Sequence, residues 1–316
     1  TVLARVRARA SAPGPLSEAG THHFATSGSG LRIHLTLTAA AFAGASLEDS
    51  LAAATTVELV HNASLLHDDL MDRDGKRRGQ PTVWARYGEE TALLLGDRLL
   101  SAAFAESATT SRPAALVATL RESIDALIDG QAAEMAPLPP NPDPSVLNQR
   151  YLDTARRKSG TLFALAVEAG LLLADTPTHT RAAARNAFNS VGAAYQVLDD
   201  LADLEGTKRG RSEPSDLYQG RLTAPIVAYL AQASPSDAAA MLSMLAQEQR
   251  SHETVTAMQQ TLLTSAAPAA TRQRHADLVM AAEDAAATLP SGLQALLRWT
   301  IAAITMQCPK NDEKGR

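Results

Sequence analysis

The sequence predicts an all-α fold, and three observations support this prediction. Alanine and leucine dominate a chain of 316 residues in which only 4% are aromatic, a composition that favours helices. Long stretches carry apolar side chains at helical spacing, and we find no strand pattern of useful length. Hydrophobic residues make up 45% of the chain, which is enough for a large core.

The predicted helices follow one another along most of the chain. They are Leu31–Ala43, Leu47–Met71, Glu89–Ser107, Ala114–Met135, Tyr151–Ala174, Thr180–Leu204 and several alanine-rich segments from Arg221 to about Met306. Four connections separate them. These are the loop TSGSG at 26–30, a basic loop at 74–80, a proline-rich connection at 137–145 and a charged, mobile loop at 205–216.

No low-complexity linker divides the chain, so we predict a single domain over residues 1–316. Residues 1–25 are weakly patterned and residues 308–316 are polar, and we predict that both ends are flexible. The start of the chain is basic and poor in acidic residues, as transit peptides are. We favour a trimmed start or a first amphipathic helix as the explanation.

Composition limits the classes of partner and compartment. The net charge of −5 gives no support to a nucleic-acid partner. The single cysteine, Cys308, excludes an internal disulfide framework and fits a reducing compartment, so we predict a cytoplasmic protein. No apolar run reaches the length that a transmembrane segment needs.

Two aspartate clusters with identical spacing are the strongest functional signal. The clusters are Asp68, Asp69 and Asp72 in LLHDDLMD, and Asp199, Asp200 and Asp203 in YQVLDDLAD. Residues four apart share one face of a helix, so each cluster can aim two carboxylates in one direction. Three carboxylates on one face repel and need cations. Their oxygens suit Mg²⁺, which prefers one or two carboxylates together with phosphate oxygens.

A solvated acidic helix face is the alternative explanation of such a cluster. Both clusters, however, follow largely apolar stretches, at 59–66 and at 191–198. Surface carboxylates seldom recur with identical spacing at the ends of two apolar helices. We therefore interpret the two clusters as facing partners that hold a polyphosphate between metal ions.

Further motifs accompany the clusters. In chain order the motifs are ELVHNASLLHDDLMD, RRGQPTVW, GDRLL, DGQAAE, KSGTLF, YQVLDDLAD and SDLYQGRLTAPI. From about Gly28 to Tyr229 the chain resembles the trans-isoprenyl diphosphate synthases of the polyprenyl synthetase family. The resemblance implies an isoprenoid synthase-type helical bundle around a deep central cavity, and a homodimer. It also implies that an allylic prenyl diphosphate ionises, leaving a delocalised carbocation.

The same resemblance implies roles for the acidic residues. Asp68, Asp72 and Asp199 would be direct ligands of three Mg²⁺ ions. The other aspartates of the two clusters, Asp69, Asp200 and Asp203, would act through water or by supporting the direct ligands.

Basic and neutral polar residues complete the site that the resemblance implies. Lys158 would touch the donor diphosphate, with Arg77, Arg211 and Arg221 assisting; a solvated helix charge is the alternative for Lys158. His61 and Arg78 would bind on the acceptor side. Thr161 and Gln196 would lie near the reacting carbons, where neutral oxygens can stabilise a cation without capturing it.

The depth of the apolar cavity would set the length of the prenyl tail. In the family, the residues five and four before the first aspartate form its floor, and here they are Ala63 and Ser64. Both are small, which leaves room for a C15 or C20 tail or a longer one. The equally weighted alternative is that small residues let two helices pack closely while a bulky side chain closes the tunnel deeper.

One motif departs from the family. Members that elongate isopentenyl diphosphate usually carry GGKRLRP, whereas this chain reads SGSGLRI, with Ser29 and Gly30 at the positions of Lys and Arg and Ile33 at that of Pro. Arg32, His61 and Arg78 are kept. A charge-assisted hydrogen bond contributes about 1.5–3 kcal/mol, so losing two would weaken diphosphate binding about 10²–10⁴-fold.

Four functions remain open at this point. They are an ordinary elongating synthase, such as one making geranylgeranyl diphosphate; transfer of the prenyl group to a second, non-standard acceptor, for example an aromatic such as indole; a class I terpene cyclase; and a non-catalytic partner subunit. Intact aspartate clusters disfavour the last. The altered motif leads us to predict the non-standard acceptor, slightly ahead of elongation.

Overall fold

The computed structural model describes residues 1–26, 28–139, 142–208 and 214–307. This part of the chain is almost entirely helical, which confirms the predicted all-α fold class. The α-helices are α1 (Val2–Ala10), α2 (Ser17–His23), α3 (Leu31–Ala43), α4 (Leu47–Met71), α5 (Val83–Tyr87), α6 (Glu89–Ser107), α7 (Pro113–Met135), α8 (Pro144–Ala155), α9 (Thr161–Leu172), α10 (Thr178–Leu204), α11 (Ser215–Gln219), α12 (Ala224–Leu230), α13 (Pro235–Leu245), α14 (His252–Thr264), α15 (Ala267–Ala286) and α16 (Ser291–Gln307).

The helices belong to two compact units. The first comprises Thr1–Asp125, Leu162–Asn186 and Ala286–Leu296, and the second comprises Ala126–Thr161, Ala187–Ala285 and Leu297–Arg316. We describe each unit by itself, and the assignment of one domain to the whole chain stays a prediction.

Helix α4 is the central element of the first unit and packs against α1, α3 and α6. Its first turn is capped by Ser46, whose hydroxyl accepts a hydrogen bond from the Asp49 amide at 3.1 Å. Small residues allow the close packing: a Cβ on Gly96 of α6 would lie 2.1 Å from the His67 imidazole. A Cβ on Gly170 of α9 would likewise lie 2.6 Å from the Thr36 carbonyl of α3.

The first 25 residues correct a prediction, because most of them form helices α1 and α2 rather than a flexible segment. Val6 and Ala10 are fully buried. Arg9 donates to the buried Glu106 carboxylate at 2.7 Å, and Arg5 donates to Glu48 at 2.7 Å. This part agrees with the first amphipathic helix that we favoured as one explanation.

The second unit has its own apolar clusters. One joins α8, α10 and α12 through residues that include Tyr151, Val197 and Val227, and another lies among α11 to α14 around Met258 and Leu262. Helix α8 begins at Pro144, earlier than predicted, because the Asp143 carboxylate accepts from the Ser145 amide at 2.7 Å and Pro fits the first helical turn.

The helix predicted over 151–174 is interrupted by a π-helical turn at Arg156–Gly160. The cause is close packing against α10: a Cβ on Gly160 would meet Asn189 at 2.7 Å, and one on Gly192 would meet the Ser159 carbonyl at 2.6 Å. The Asn189 side chain donates to the Arg156 carbonyl at 3.0 Å. Such π-turns are frequent at functional sites, and this one carries Lys158.

The predicted basic loop at 74–80 is instead part of a small hairpin. Strand β1 (Lys76–Arg77) pairs antiparallel with β2 (Gln80–Pro81). Arg78 and Gly79 connect them with φ angles of 52° and 77°. Two consecutive left-handed residues are typical of a tight two-residue turn.

We searched the described helices for a membrane span. None of them combines the length and the apolar character that crossing a bilayer requires.

A buried ion pair joins α9 to α10 in the first unit. The Glu168 side chain is 3% exposed and accepts from Arg185 Nε at 2.6 Å and from Arg185 NH2. The Arg181 guanidinium lies 3.8 Å from the same carboxylate. A buried carboxylate that loses its main cation destabilises the folded state strongly.

We therefore expect Arg185→Met, which keeps the apolar stem of the side chain, to lower the free energy of unfolding by about 2–4 kcal/mol. Urea unfolding followed by circular dichroism measures this loss. Arg121→Met is the control, because Arg121 and Asp125 form an exposed pair and their loss should cost under about 0.5 kcal/mol. Equal losses in both variants would contradict the assignment.

Candidate active site

The first aspartate cluster lies at the carboxyl end of α4 in the first unit. Asp68 and Asp72 are partly exposed and lie one helical turn apart, whereas Asp69 is buried. Asp72 is the C-cap that follows Met71, and its amide donates to the Asp68 carbonyl at 2.8 Å. The helix thus presents two carboxylates at its surface and turns the third inward.

Asp69 is held by Arg77 of the hairpin. Arg77 Nε donates to both carboxylate oxygens at 2.8 and 3.0 Å, and Arg77 NH2 lies 2.7 Å from one of them. Burial raises the pKa of Asp69 to about 6, and the Arg77 guanidinium opposes that rise. The ion pair therefore fastens the RRGQPT hairpin to the end of α4. This agrees with the prediction that Asp69 supports the direct metal ligands and is not one of them.

On the same unit, the basic residues predicted for the acceptor side come together. Arg32 NH1 lies 3.3 Å from His61 Nε2, and the Arg32 guanidinium lies over the Phe163 ring at 5.0 Å. Burial and the neighbouring Arg32 lower the pKa of His61, which keeps its imidazole neutral. Arg78 donates to the Thr26 carbonyl at 3.4 Å.

The altered motif forms the turn that starts α3. Gly30 precedes the helix with a φ of 65°, a left-handed conformation that suits glycine. The Ser29 hydroxyl accepts from the Leu31 amide at 3.4 Å, and the His34 imidazole donates to the Gly30 carbonyl at 3.0 Å. An arginine at position 30 would therefore be strained in this turn.

The three aspartates of the second cluster, on α10 in the second unit, differ in burial and in hydrogen-bond partners. Asp199 is partly exposed and accepts from Lys208 Nζ at 2.7 Å. Asp203 is buried and accepts from the Ser215 hydroxyl at 2.9 Å and from the Asp216 amide at 3.0 Å, which fixes the start of α11. Burial and the nearby Asp216 raise the pKa of Asp203.

Asp200, the middle residue of the cluster, is the most enclosed. One carboxylate oxygen accepts from Gln196 at 2.8 Å, and the other accepts from the Tyr151 hydroxyl at 2.7 Å and the Ala224 amide at 2.9 Å. Burial, followed by the charge of Asp216, raises the pKa of Asp200 to about 7. Asp200 is therefore an internal anchor rather than an exposed ligand.

A polar cleft in the second unit brings several predicted residues together. Its volume is about 350 Å³ including open solvent, and Lys158, Gln196, Asp200 and Arg221 line it. Lys158 Nζ lies 2.5 Å from Glu134, and Arg221 NH1 lies 3.2 Å from Asp216. Both cations are thus paired with carboxylates inside the cleft, and their roles at the donor diphosphate stay predictions.

Two hydroxyls close to Lys158 in the chain donate to different acceptors. The predicted one, Thr161 Oγ1, donates to the Arg156 carbonyl at 3.3 Å. The Ser159 hydroxyl, which the sequence analysis missed, donates to Gln196 Oε1 at 2.6 Å. Ser159 is thus the hydroxyl joined to the predicted site, and its position directly after Lys158 was the available signal.

The two predicted floor residues differ in environment. Ala63 is fully buried, whereas Ser64 is partly exposed and donates to the His61 carbonyl at 2.8 Å. Arg211, predicted at the donor diphosphate, lies outside the described residues.

The partly exposed carboxylates of each unit are oxygen ligands of the kind that Mg²⁺ prefers. Among residues 1–26, 28–139, 142–208 and 214–307, no three His, Cys, Asp or Glu side chains form a metal site by themselves. Mg²⁺ needs no such cage, since it takes one or two carboxylates and completes its shell with water and phosphate oxygens. The partly exposed carboxylates that would hold such ions are Asp68 and Asp72 on the first unit and Asp199 on the second.

Known structures share this fold. A polyprenyl synthase from Caulobacter crescentus CB15, solved with calcium and isoprenyl diphosphate, superimposes with a TM-score of 0.85 over 96% of this chain and 93% of that one, at 25% identity.

Two relatives are similar in sequence. A (2E,6E)-farnesyl diphosphate synthase of Mycobacterium tuberculosis is 39% identical over 203 residues, 63% of this chain and 56% of the relative. The match thus spans little more than half of that protein. A geranylgeranyl diphosphate synthase of Methanosarcina mazei is 32% identical over 221 residues, 68% of this chain and 67% of the relative. The family model for polyprenyl synthetases matches residues 14–262, most of the chain, and the protein therefore belongs to the polyprenyl synthetase family.

Proposed function

We propose that the protein is a Mg²⁺-dependent prenyltransferase that joins an allylic prenyl diphosphate to isopentenyl diphosphate. This replaces the non-standard acceptor that the altered motif led us to predict. The two relatives described above are a farnesyl and a geranylgeranyl diphosphate synthase, which supports ordinary elongation.

The observation that carries this proposal is the group of basic residues on the first unit. Arg32 NH1 and His61 Nε2 are 3.3 Å apart, and the Arg32 guanidinium also lies over the Phe163 ring, 5.0 Å from its centroid. Arg78 lies against the loop just before α3, where a Cβ on Gly28 would be 2.6 Å from its guanidinium. Two arginines at this loop would bind a diphosphate without the lysine and first arginine of the family motif.

The donor half supplies the groups that departure of a diphosphate requires. Lys158 and Arg221 would receive the diphosphate in the cleft of the second unit, with Lys158 exchanging its contact with Glu134 for phosphate oxygens. Asp68, Asp72 and Asp199 would hold Mg²⁺, which supplies positive charge against the developing oxyanion when bound.

Neutral oxygens near Lys158 would stabilise the carbocation that remains after the diphosphate departs. Gln196 is fixed at both ends, because Ser159 donates to its oxygen and its nitrogen donates to Asp200. We assign Ser159 and Gln196, rather than Thr161, to the stabilisation of the cation. Uncharged oxygen dipoles lower its energy without forming a bond to it.

Small residues before the first cluster support a product of C15 or longer, because neither Ala63 nor Ser64 carries a ring that could end the tail tunnel. Three Mg²⁺ ions, a homodimer and a cytoplasmic location remain predictions from the family resemblance and the composition.

Incubation with an allylic diphosphate, radiolabelled isopentenyl diphosphate and Mg²⁺ tests the acceptor directly. We expect the unmodified protein to form a longer prenyl diphosphate. Ser29→Lys should lower the KM for isopentenyl diphosphate about tenfold with little change in kcat, because it adds a ground-state contact. Ser29→Gln is the uncharged control, and Gly30 is left unchanged because of its left-handed φ. Failure of the unmodified protein to incorporate isopentenyl diphosphate would contradict the proposal.

Removal of one carboxylate from each cluster tests the metal assignment. We expect Asp68→Ala and Asp199→Ala each to lower turnover about 10²–10³-fold while the helical circular dichroism signal is retained. Asp125→Ala, an exposed aspartate of α7, serves as the control and should keep normal turnover. Full activity of the unmodified protein in excess EDTA would refute the Mg²⁺ requirement.

A ring at the partly exposed floor position tests the control of tail length. We expect Ser64→Phe to shorten the products by at least one isoprene unit, as measured by chromatography of the dephosphorylated products. Ala63→Phe should mainly lower the melting temperature, because Ala63 is fully buried and overpacking costs about 1–3 kcal/mol. Ser64→Ala is the control, and an unchanged product profile in folded Ser64→Phe would locate the floor elsewhere.

A further inference from the structure

A tyrosine that the sequence analysis did not assign occupies the centre of the second unit's polar network. Tyr151 of α8 is 5% exposed, and its hydroxyl donates to Asp200 at 2.7 Å. Its ring packs in the apolar cluster with Val197 of α10 and Val227 of α12. The ring is thus fixed by three helices, and only the hydroxyl reaches a polar partner.

The carboxylate that receives this hydroxyl connects directly to predicted site residues. The Asp200 oxygen that accepts from Tyr151 also accepts the Ala224 amide at 2.9 Å, and the other oxygen accepts from Gln196 at 2.8 Å. Gln196 in turn receives the Ser159 hydroxyl at 2.6 Å. A chain of hydrogen bonds therefore runs from Tyr151 through Asp200 and Gln196 to Ser159, next to Lys158.

The position of Asp200 makes this network relevant to metal binding. Asp199 precedes it on α10 and is the partly exposed residue of the cluster. Because Asp200 takes donors from α8 and from the first residue of α12, these two contacts hold α10 in its rotation at this point. Outer partners that hold a ligand in place commonly change metal affinity about 10–100-fold when they are removed.

We propose that Tyr151 is a positioning residue for this site: its hydroxyl orients Asp200 and thereby sets Gln196 and the α10 turn that presents Asp199. The inference rests on the proposed function for the identity of the ligand, a diphosphate bound with Mg²⁺. Tyr151 touches neither substrate nor metal in this role and acts through Asp200.

The variant Tyr151→Phe removes one oxygen and keeps the packing of the ring. Isothermal titration calorimetry with inorganic diphosphate in the presence of Mg²⁺ measures the affinity of the site independently of any acceptor. We expect an affinity about 10–100-fold weaker than in the unmodified protein, with the ligand-free melting temperature changed by less than about 3 °C. Donor turnover should show a lower kcat as well, because Asp200, which holds Gln196, loses one of its hydrogen-bond donors.

Tyr229→Phe is the matched control, since Tyr229 lies in the same unit and packs beside another apolar cluster, and it is not among the donors Tyr151, Gln196 and Ala224 that Asp200 takes. We expect it to leave the affinity for diphosphate unchanged. Unchanged affinity in Tyr151→Phe would overturn the inference, and so would a fall in melting temperature of more than about 10 °C, because the hydroxyl would then hold the fold rather than the site. An unmodified protein that binds no diphosphate with Mg²⁺ would instead refute the proposed function itself.

Discussion

Neutralisation of clustered carboxylates is the constraint on which the rest of this structure depends. Each DDxxD cluster concentrates negative charge at one point of a helix, and burying such charge without partners would be costly. Within each cluster, the aspartates therefore have different partners and different degrees of burial. Asp69 takes Arg77, Asp200 takes three hydrogen-bond donors, and only some of the carboxylates stay partly exposed.

The buried aspartates also organise the segments that bring the basic residues to the site. Asp69 fastens the hairpin that contains Arg77 and Arg78. Asp200 and Asp203 hold the starts of α12 and α11, on either side of Arg221. The positive groups that would bind diphosphate are thus positioned by the same acidic motifs that would bind the metal. This explains why three aspartates serve in each cluster although Mg²⁺ needs only one or two.

Close helix packing is the second constraint, and it shapes the site as much as the charges do. Glycines at 160 and 192 let α10 approach the segment after α8 so closely that a π-helical turn forms there. In that turn the Ser159 hydroxyl donates to Gln196, whereas the Thr161 hydroxyl donates to the Arg156 carbonyl. Ser159 rather than Thr161 therefore joins the hydrogen bonds around Asp200. At the altered motif, Gly30 adopts a left-handed φ to start α3, a conformation in which an arginine would be strained.

The sequence by itself determined the all-α class, the bounds of α3, α4 and α6, and the two aspartate clusters, because helical periodicity and short motifs are local properties. Tertiary structure decided which aspartate is buried, which hydroxyl meets Gln196 and where the helix over 151–174 is interrupted. It also decided that the first residues form helices and that 76–81 form a hairpin. Each of these outcomes depends on partners distant in the chain, such as Asn189 for the π-turn and Glu106 for α1, and local patterns carry no record of such partners.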